Sequence, residues 1–231
     1  MNYINTVMGK FISRPNRFIA IVEINGDVEI CHVKNTGRNT ELLIEGAVVI
    51  LQEFVEAFAL KNRKTKFDLI AVYKNNNILI NIDSQIPNGV FREWAEKNSY
   101  FGANAIIKAE KTYKNSRFDF YVQNGERRVF IEVKGVTLIV DRVGMFPDAP
   151  TIRGLKHINE LIDAVENGYE ALVVFVVQCK GIDYFTPHRV MQKEFGDALD
   201  QAAKVGVKML CLDCDVLENS IVASEIKEIK L

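Results

Sequence analysis

The stretch Arg117–Thr137, RFDFYVQNGERRVFIEVKGVT, decides how the chain is read. Two runs rich in aromatic and β-branched residues, Phe118–Val122 and Arg128–Val133, flank Gln123-Asn124-Gly125-Glu126. Asn-Gly between such runs signals a tight turn, so the stretch reads as a β-hairpin. Three charged residues, Asp119, Glu132 and Lys134, interrupt runs that are otherwise largely apolar. Side chains alternate faces along a strand, so Glu132 and Lys134 share a face and the turn folds Asp119 back beside them. The pattern places two carboxylates and an ammonium at the rim of a sheet.

That constellation has a chemical use. Two carboxylates, helped by the carbonyl of Val133, suit Mg²⁺ that keeps several waters. Such a metal lowers the pKa of a bound water and stabilises charge on a phosphodiester. A lysine beside it orients or deprotonates the attacking water and neutralises the crowded phosphate. Asp, twelve residues, then Glu-x-Lys is the active-site pattern of the PD-(D/E)xK nucleases. The plainer reading of Glu-Val-Lys is a salt-bridged solvent face. The strand and turn context favours the metal site, and Glu110 lies on a preceding segment that could bring a third carboxylate to the same face.

Outward from the hairpin, strands and helices alternate, as in an α/β domain with a mixed sheet. Pro87–Asn98 has Val90, Trp94 and Ala95 at helical spacing, and Ala105–Ala109 reads as a strand. Thr151 caps a helix running to about Asn167, with Gly168 as its stop. On this helix Ile152, Leu155, Ile158, Leu161, Ile162 and Val165 form the apolar face, and His157 falls on the polar side as a surface residue. Ala171–Val177 reads as a buried central strand, Phe195–Lys204 as a helix and Lys208–Leu212 as another buried strand.

Residues 1–85 differ in kind. Phe18–Ile24, Val28–Val33, Gly46–Gln52, Asp68–Tyr73 and Ile78–Ile82 are five strand-like runs. Turns are expected at Asn25-Gly26-Asp27, Asn35-Thr36-Gly37 and Lys74–Asn77, and no helix pattern appears until the end. Five short strands suggest a small OB-fold barrel, and an SH3-like barrel fits nearly as well. The expected division is a β-barrel over 1–85 followed by a nuclease-like α/β domain over 86–231.

Composition bounds the partners. The 231 residues are 48% hydrophobic and 26% charged, with a net charge of −1, so bulk charge gives no signal for nucleic acid. The densest basic patch is Lys61, Arg63, Lys64 and Lys66, which suits a solvated loop or a nucleic-acid contact. No apolar run approaches the ~20 residues that a transmembrane helix needs, and no signal-peptide core is seen, so a cytoplasmic protein without membrane partners is expected. Of Cys31, Cys179, Cys211 and Cys214, only the last two have C-x-x-C spacing. No second ligand pair exists, so all four are expected to be structural.

Several stretches go beyond these patterns. RPNRFIA (14–20), CHVKNTGR (31–38), ELL (41–43), SRFDF (116–120), EVKGVTL (132–138) and FPDAPTIRGLKHINEL (146–161) occur in this order along nearly the whole chain. Together they resemble the sugar fermentation stimulation protein A family. The resemblance implies an N-terminal OB-fold, a C-terminal PD-(D/E)xK-like domain, DNA binding and a link to the regulation of sugar-utilisation genes. It aligns Asp119, Glu132 and Lys134 with the nuclease-like core, Glu110 with the acidic residue upstream and Arg117 with the residue before the Asp. Arg153 and Asp148 suit a phosphate or metal contact, or a structural tie between the loop and the helix start. In the barrel, Arg14, Asn16, Arg17, His32 and Arg38 could line a groove for a nucleic-acid strand. Phe18 opens an apolar run and reads as core.

Two functions are therefore expected. One is a nuclease using Mg²⁺ or Mn²⁺, with Glu110, Asp119 and Glu132 as ligands, Asp119, Glu132 and Lys134 as the catalytic set, and DNA or RNA as substrate. The other is a non-catalytic DNA-binding regulator on the same scaffold.

Overall fold

The computed structural model describes residues 1–231 apart from Thr36 and Asn76. The turns expected at 35–37 and 74–77 therefore include positions outside the described residues. The chain divides into two compact units. One comprises Met1–Ile86 with Gln178–Lys180 and Cys214–Val222; the other comprises Pro87–Val177 with Gly181–Asp213 and Ala223–Leu231. The two later segments of the first unit lie beyond the division expected from sequence.

The first unit contains β1 (Thr6–Asn16), β2 (Ile19–Ile24), β3 (Asp27–Val33), β4 (Val48–Glu53), α1 (Val55–Ala59), β5 (Phe67–Lys74) and β6 (Ile78–Asn81). Strands β1, β2 and β3 form an antiparallel meander. On the other side of β1 follow β4 and then β5, and a parallel β3–β5 pairing closes a five-stranded OB barrel. Asn25 and Gly26 carry the β2–β3 reversal with φ of 53° and 91°, the positive values that a two-residue type I′ turn requires.

The sequence reading counts the right number of strands but chooses the wrong five. Strand β6 hangs on β5 outside the closure, and the missing member is β1. Its run is hard to see because Gly9 and Pro15 interrupt it and its register with β2 slips between Phe11 and Ser13 and between Ser13 and Asn16. Gly9 is there for space: a Cβ would lie 2.6 Å from Val22 Cγ1 and 2.8 Å from the Glu23 carbonyl oxygen.

After α2 (Ile86–Lys97), the chain forms β7 (Ile106–Tyr113), β8 (Ser116–Asn124), β9 (Arg127–Val136), β10 (Leu138–Val140), β11 (Val143–Phe146), α3 (Ile152–Glu166), β12 (Glu170–Val177), β13 (Tyr184–Pro187), α4 (Lys193–Val205), β14 (Lys208–Leu217) and β15 (Ser220–Ile229). These strands make a nine-stranded mixed sheet in the order β10-β11-β13-β15-β14-β12-β9-β8-β7. Strand β12 lies parallel to both β9 and β14, and Ala171–Val177 is buried throughout, which explains its unbroken apolar run. Helix α3 is capped as expected, the Thr151 hydroxyl accepting from the Gly154 N–H at 2.9 Å. Strands β11, β13 and β15 are not read in advance. No helix among the described residues is long and apolar enough to cross a membrane.

Candidate active site

The proposed hairpin is β8–β9. Its loop is Gly125-Glu126, with positive φ (57°) at the first position alone, the type II′ arrangement. The ladder runs from Asn124↔Arg127 to Phe120↔Ile131 and stops one step before Asp119 and Glu132. There a side chain replaces the ladder: Asp119 Oδ2 accepts the Val133 N–H at 2.8 Å. Its other oxygen accepts from Asn88 Nδ2 of α2 at 2.9 Å. Where the strands part, β9 remains held on its other edge by the parallel pairing of Glu132 with Val173 and Lys134 with Phe175. Glu132 thus sits on a strand held at that edge, and Asp119 lies on β8 across the opening.

Glu132 is buried, and its Oε1 accepts two hydrogen bonds. One comes from Lys134 Nζ at 2.6 Å and the other, very short, from His157 Nδ1 of α3. An ionised carboxylate only accepts, so His157 carries its proton on Nδ1. Glu132 Oε2 is buried without a partner. Burial alone would raise the Glu132 pKa, but the His157 bond and the Lys134 charge hold it below the ordinary value. Asp119 goes the other way: burial, then the negative charge of Glu132, raise it against the bonds from Val133 and Asn88. A pair with one orphaned oxygen and one carboxylate disfavoured by its neighbour's charge is suited to a cation. Asp119, Glu132 and Lys134 are brought together as the sequence pattern expects.

Glu110 does not join them. Its register places it across from Asp119, between the Ala109↔Phe120 and Lys111↔Phe118 pairs. However, its backbone has φ of 56° inside the strand, and its exposed carboxylate pairs with Arg117 Nη1 at 3.3 Å. Among the described residues, no group of three His, Cys, Asp or Glu side chains is arranged to hold a metal. The expected three-carboxylate set is therefore a pair in this structure, because the backbone turns at Glu110 and the nearest opposite charge is Arg117.

His157 is the main residue that sequence reasoning misplaces. It is buried, not on the surface. The signal was present: its i+4 and i+7 neighbours Leu161 and Ala164 are fully buried, so the helix stripe facing the sheet includes it. Asn88 had no such signal, since only the folded chain brings α2 to Asp119.

In the barrel, the proposed strand-binding residues separate into two groups. Arg14 builds the loop: its Nη1 donates to the carbonyls of Gly37 and Arg38, and its Nη2 to those of Arg17 and Asn35. Asn16 Oδ1 accepts from the N–H groups of Phe18 and Ile19 and so shapes the β1–β2 turn. His32 Nδ1 lies 3.3 Å from the fully buried Asp68, which also pairs with Lys34 and Arg63. Arg17 and Arg38 are exposed. Phe18 is not core; it lies in the turn before β2, 47% exposed, with the Arg17 guanidinium 5.0 Å from its ring centre. Of the basic patch, Arg63 turns to Asp68 and Lys66 to Glu53, leaving Lys61 and Lys64 exposed.

Comparisons with known proteins accord with this architecture. Residues 12–82 match the SfsA N-terminal OB domain and residues 85–220 the sugar fermentation stimulation protein RE domain. A sugar fermentation stimulation protein homolog of Desulfitobacterium hafniense is 58% identical over 231 residues, covering 100% of this chain and 99% of that protein. The chain belongs to the sugar fermentation stimulation protein family. Another family member, from Ruminiclostridium cellulolyticum, is 52% identical and covered to 100% on both sides. The solved structure described as Pyrococcus furiosus SfsA in complex with Ca2+ matches with a TM-score of 0.89 at 25% identity, over 100% of this chain and 98% of that one. The family resemblance read from the motifs is thus met along the whole chain.

Proposed function

We propose that this family member binds nucleic acid and hydrolyses its phosphodiester bonds with a divalent cation. The observation that carries the reading is the buried Glu132 Oε2, without a partner and coupled through charge to Asp119. Asp119 and Glu132 would hold Mg²⁺ or Mn²⁺; the solved Pyrococcus furiosus relative is described as a complex with Ca2+, a divalent ion of the same oxygen-seeking class. When bound, such an ion supplies a more acidic water and charge neutralisation at the phosphodiester. The chain's own residues do the rest. His157 and Lys134 keep Glu132 ionised, and Asn88 and the Val133 N–H fix the Asp119 carboxylate. The Lys134 ammonium, on the same strand face, orients the attacking water and offsets charge at phosphorus. In the barrel, Arg17, Arg38 and Phe18 offer cationic and stacking contacts to a strand.

The test is cleavage of labelled single- and double-stranded DNA and RNA by wild type, Asp119→Ala and Lys134→Ala in Mg²⁺ and Mn²⁺. Metal-dependent cleavage lost in both variants, with binding kept, supports the proposal; equal products from all three proteins would sink it. A second reading, a DNA-binding regulator without turnover, is favoured by one observation: the Glu110 carboxylate is engaged by Arg117 instead of the pair. It predicts binding that neither metal nor Asp119→Ala alters.

A further inference from the structure

Beside the carboxylate pair lies a cleft of about 430 Å³, lined by Asn115, Ser116, Arg117, Ile152, Arg153, Lys156 and His157. It contains three permanent cations and no carboxylate side chain. Arg153 is exposed and has no ion pair among the described residues. Arg117 is shared with Glu110 at 3.3 Å, and Lys156 donates to the Asn115 carbonyl at 2.8 Å and pairs with Glu160 at 3.6 Å. The cleft includes the first turn of the fifteen-residue α3, whose N–H groups add positive potential. A second and independent feature is Ser116: it is 5% exposed, and its hydroxyl is buried without a hydrogen-bond partner. Buried hydroxyls are normally satisfied, and one that is not, in a cationic cleft, suits an anionic oxygen.

His157 ties the cleft to the site, since the residue lines the cleft while its Nδ1 donates to Glu132. We infer that the cleft binds a phosphate group of the nucleic-acid strand, next along the backbone from the phosphodiester at Asp119 and Glu132. This rests on the nucleic-acid reading above and adds to it a defined anchoring point. The phosphate belongs either to a strand terminus, as a monoester, or to the continuous backbone, as a diester. Arg153 and Arg117 supply forked donors suited to either, with Ser116 and the helix start in the same lining.

The experiment measures equilibrium binding in EDTA, where cleavage cannot contribute. The probe is one short single-stranded oligonucleotide made with a 5′-phosphate, with a 3′-phosphate, or with hydroxyls at both ends. Arg153→Ala is expected to weaken binding about tenfold and to lower the slope of log affinity against log salt by about 0.7, the value for one phosphate contact on a single strand. Ser116→Ala is expected to weaken binding severalfold without lowering the thermal midpoint, an outcome that a purely structural hydroxyl would not give. If Arg153→Ala removes a preference for one phosphorylated end, the anchored group is a terminal monoester. If it weakens all three probes equally, the group is an internal diester. Wild-type binding with affinity and salt slope unchanged in Arg153→Ala overturns this inference alone and leaves the nuclease reading standing. No binding of any probe by wild type removes both.

Discussion

Replacing His157 by alanine probes the least expected part of the site. The imidazole donates to a buried carboxylate, a bond to a charged group that contributes about 1.5–3 kcal/mol. Its ring also packs edge-on to Phe118 at 6.1 Å, so truncation leaves a small void worth about 1 kcal/mol more. Lys134 still bonds Glu132 in the variant, which keeps the loss below that of a fully orphaned buried charge. The expected cost is about 3 kcal/mol, or about 6–12 °C in the thermal midpoint at this chain length. Denaturant titrations of His157→Ala, Glu132→Gln and the double variant should give a coupling of about 2 kcal/mol. His157→Asn should recover part of the loss, because its amide can present an N–H near the position of Nδ1. The pH dependence has a definite sign. Glu132 titrates below its unfolded value, so its stabilisation is present above the ordinary carboxylate range and is lost as pH falls through the lowered folded value. His157→Ala should flatten that acid limb. A cost under about 1 kcal/mol, or single-variant effects that simply add, would refute the idea that His157 supports Glu132.

Asp119 carries the opposite sign: its pKa is raised, so ionising it costs folded-state stability at neutral pH. Asp119→Asn should therefore raise the metal-free thermal midpoint, an advantage that vanishes below the carboxylate range. The same variant should abolish any rise in midpoint produced by Mn²⁺, whereas wild type should gain about 2.7 kcal/mol at a hundredfold excess over Kd. Arg14→Ala breaks four bonds to loop carbonyls and should cost about 2–4 kcal/mol by calorimetry, with no effect on cleavage chemistry beyond that of altered strand binding. All four cysteines are buried, and burial pushes the Cys31 and Cys211 thiols up to about 12. A thiol reagent at mildly alkaline pH should find no reactive cysteine in the native protein and four after denaturation.

Much of the architecture is legible in the chain itself because it follows from local rules. Ala171–Val177 is unbroken and apolar because both faces of a central parallel strand are covered. Thr151 announces the start of α3, and Asn25-Gly26 and Asn124-Gly125 announce two reversals. Asp119, Glu132 and Lys134 stand out because charge inside a strand pattern needs a reason. What local rules cannot supply is register and long-range approach. Strand β1 is concealed by Gly9 and by its bulges, features that make sense only once β2 lies against it. Phe18 looks like core by composition, yet one position in the turn puts it in solvent. Glu110 has the right register beside Asp119, but its backbone takes a positive φ of 56° and its carboxylate pairs with Arg117. His157 and Asn88 reach the carboxylates from helices remote in sequence, and only packing decides which atom each one meets. Sequence alone determined the carboxylates and the ammonium, since alternation along a strand is a property of the backbone. The tertiary structure decided their partners and the direction in which each carboxylate's pKa moves, because burial and hydrogen bonding depend on what the rest of the chain brings within a few ångströms.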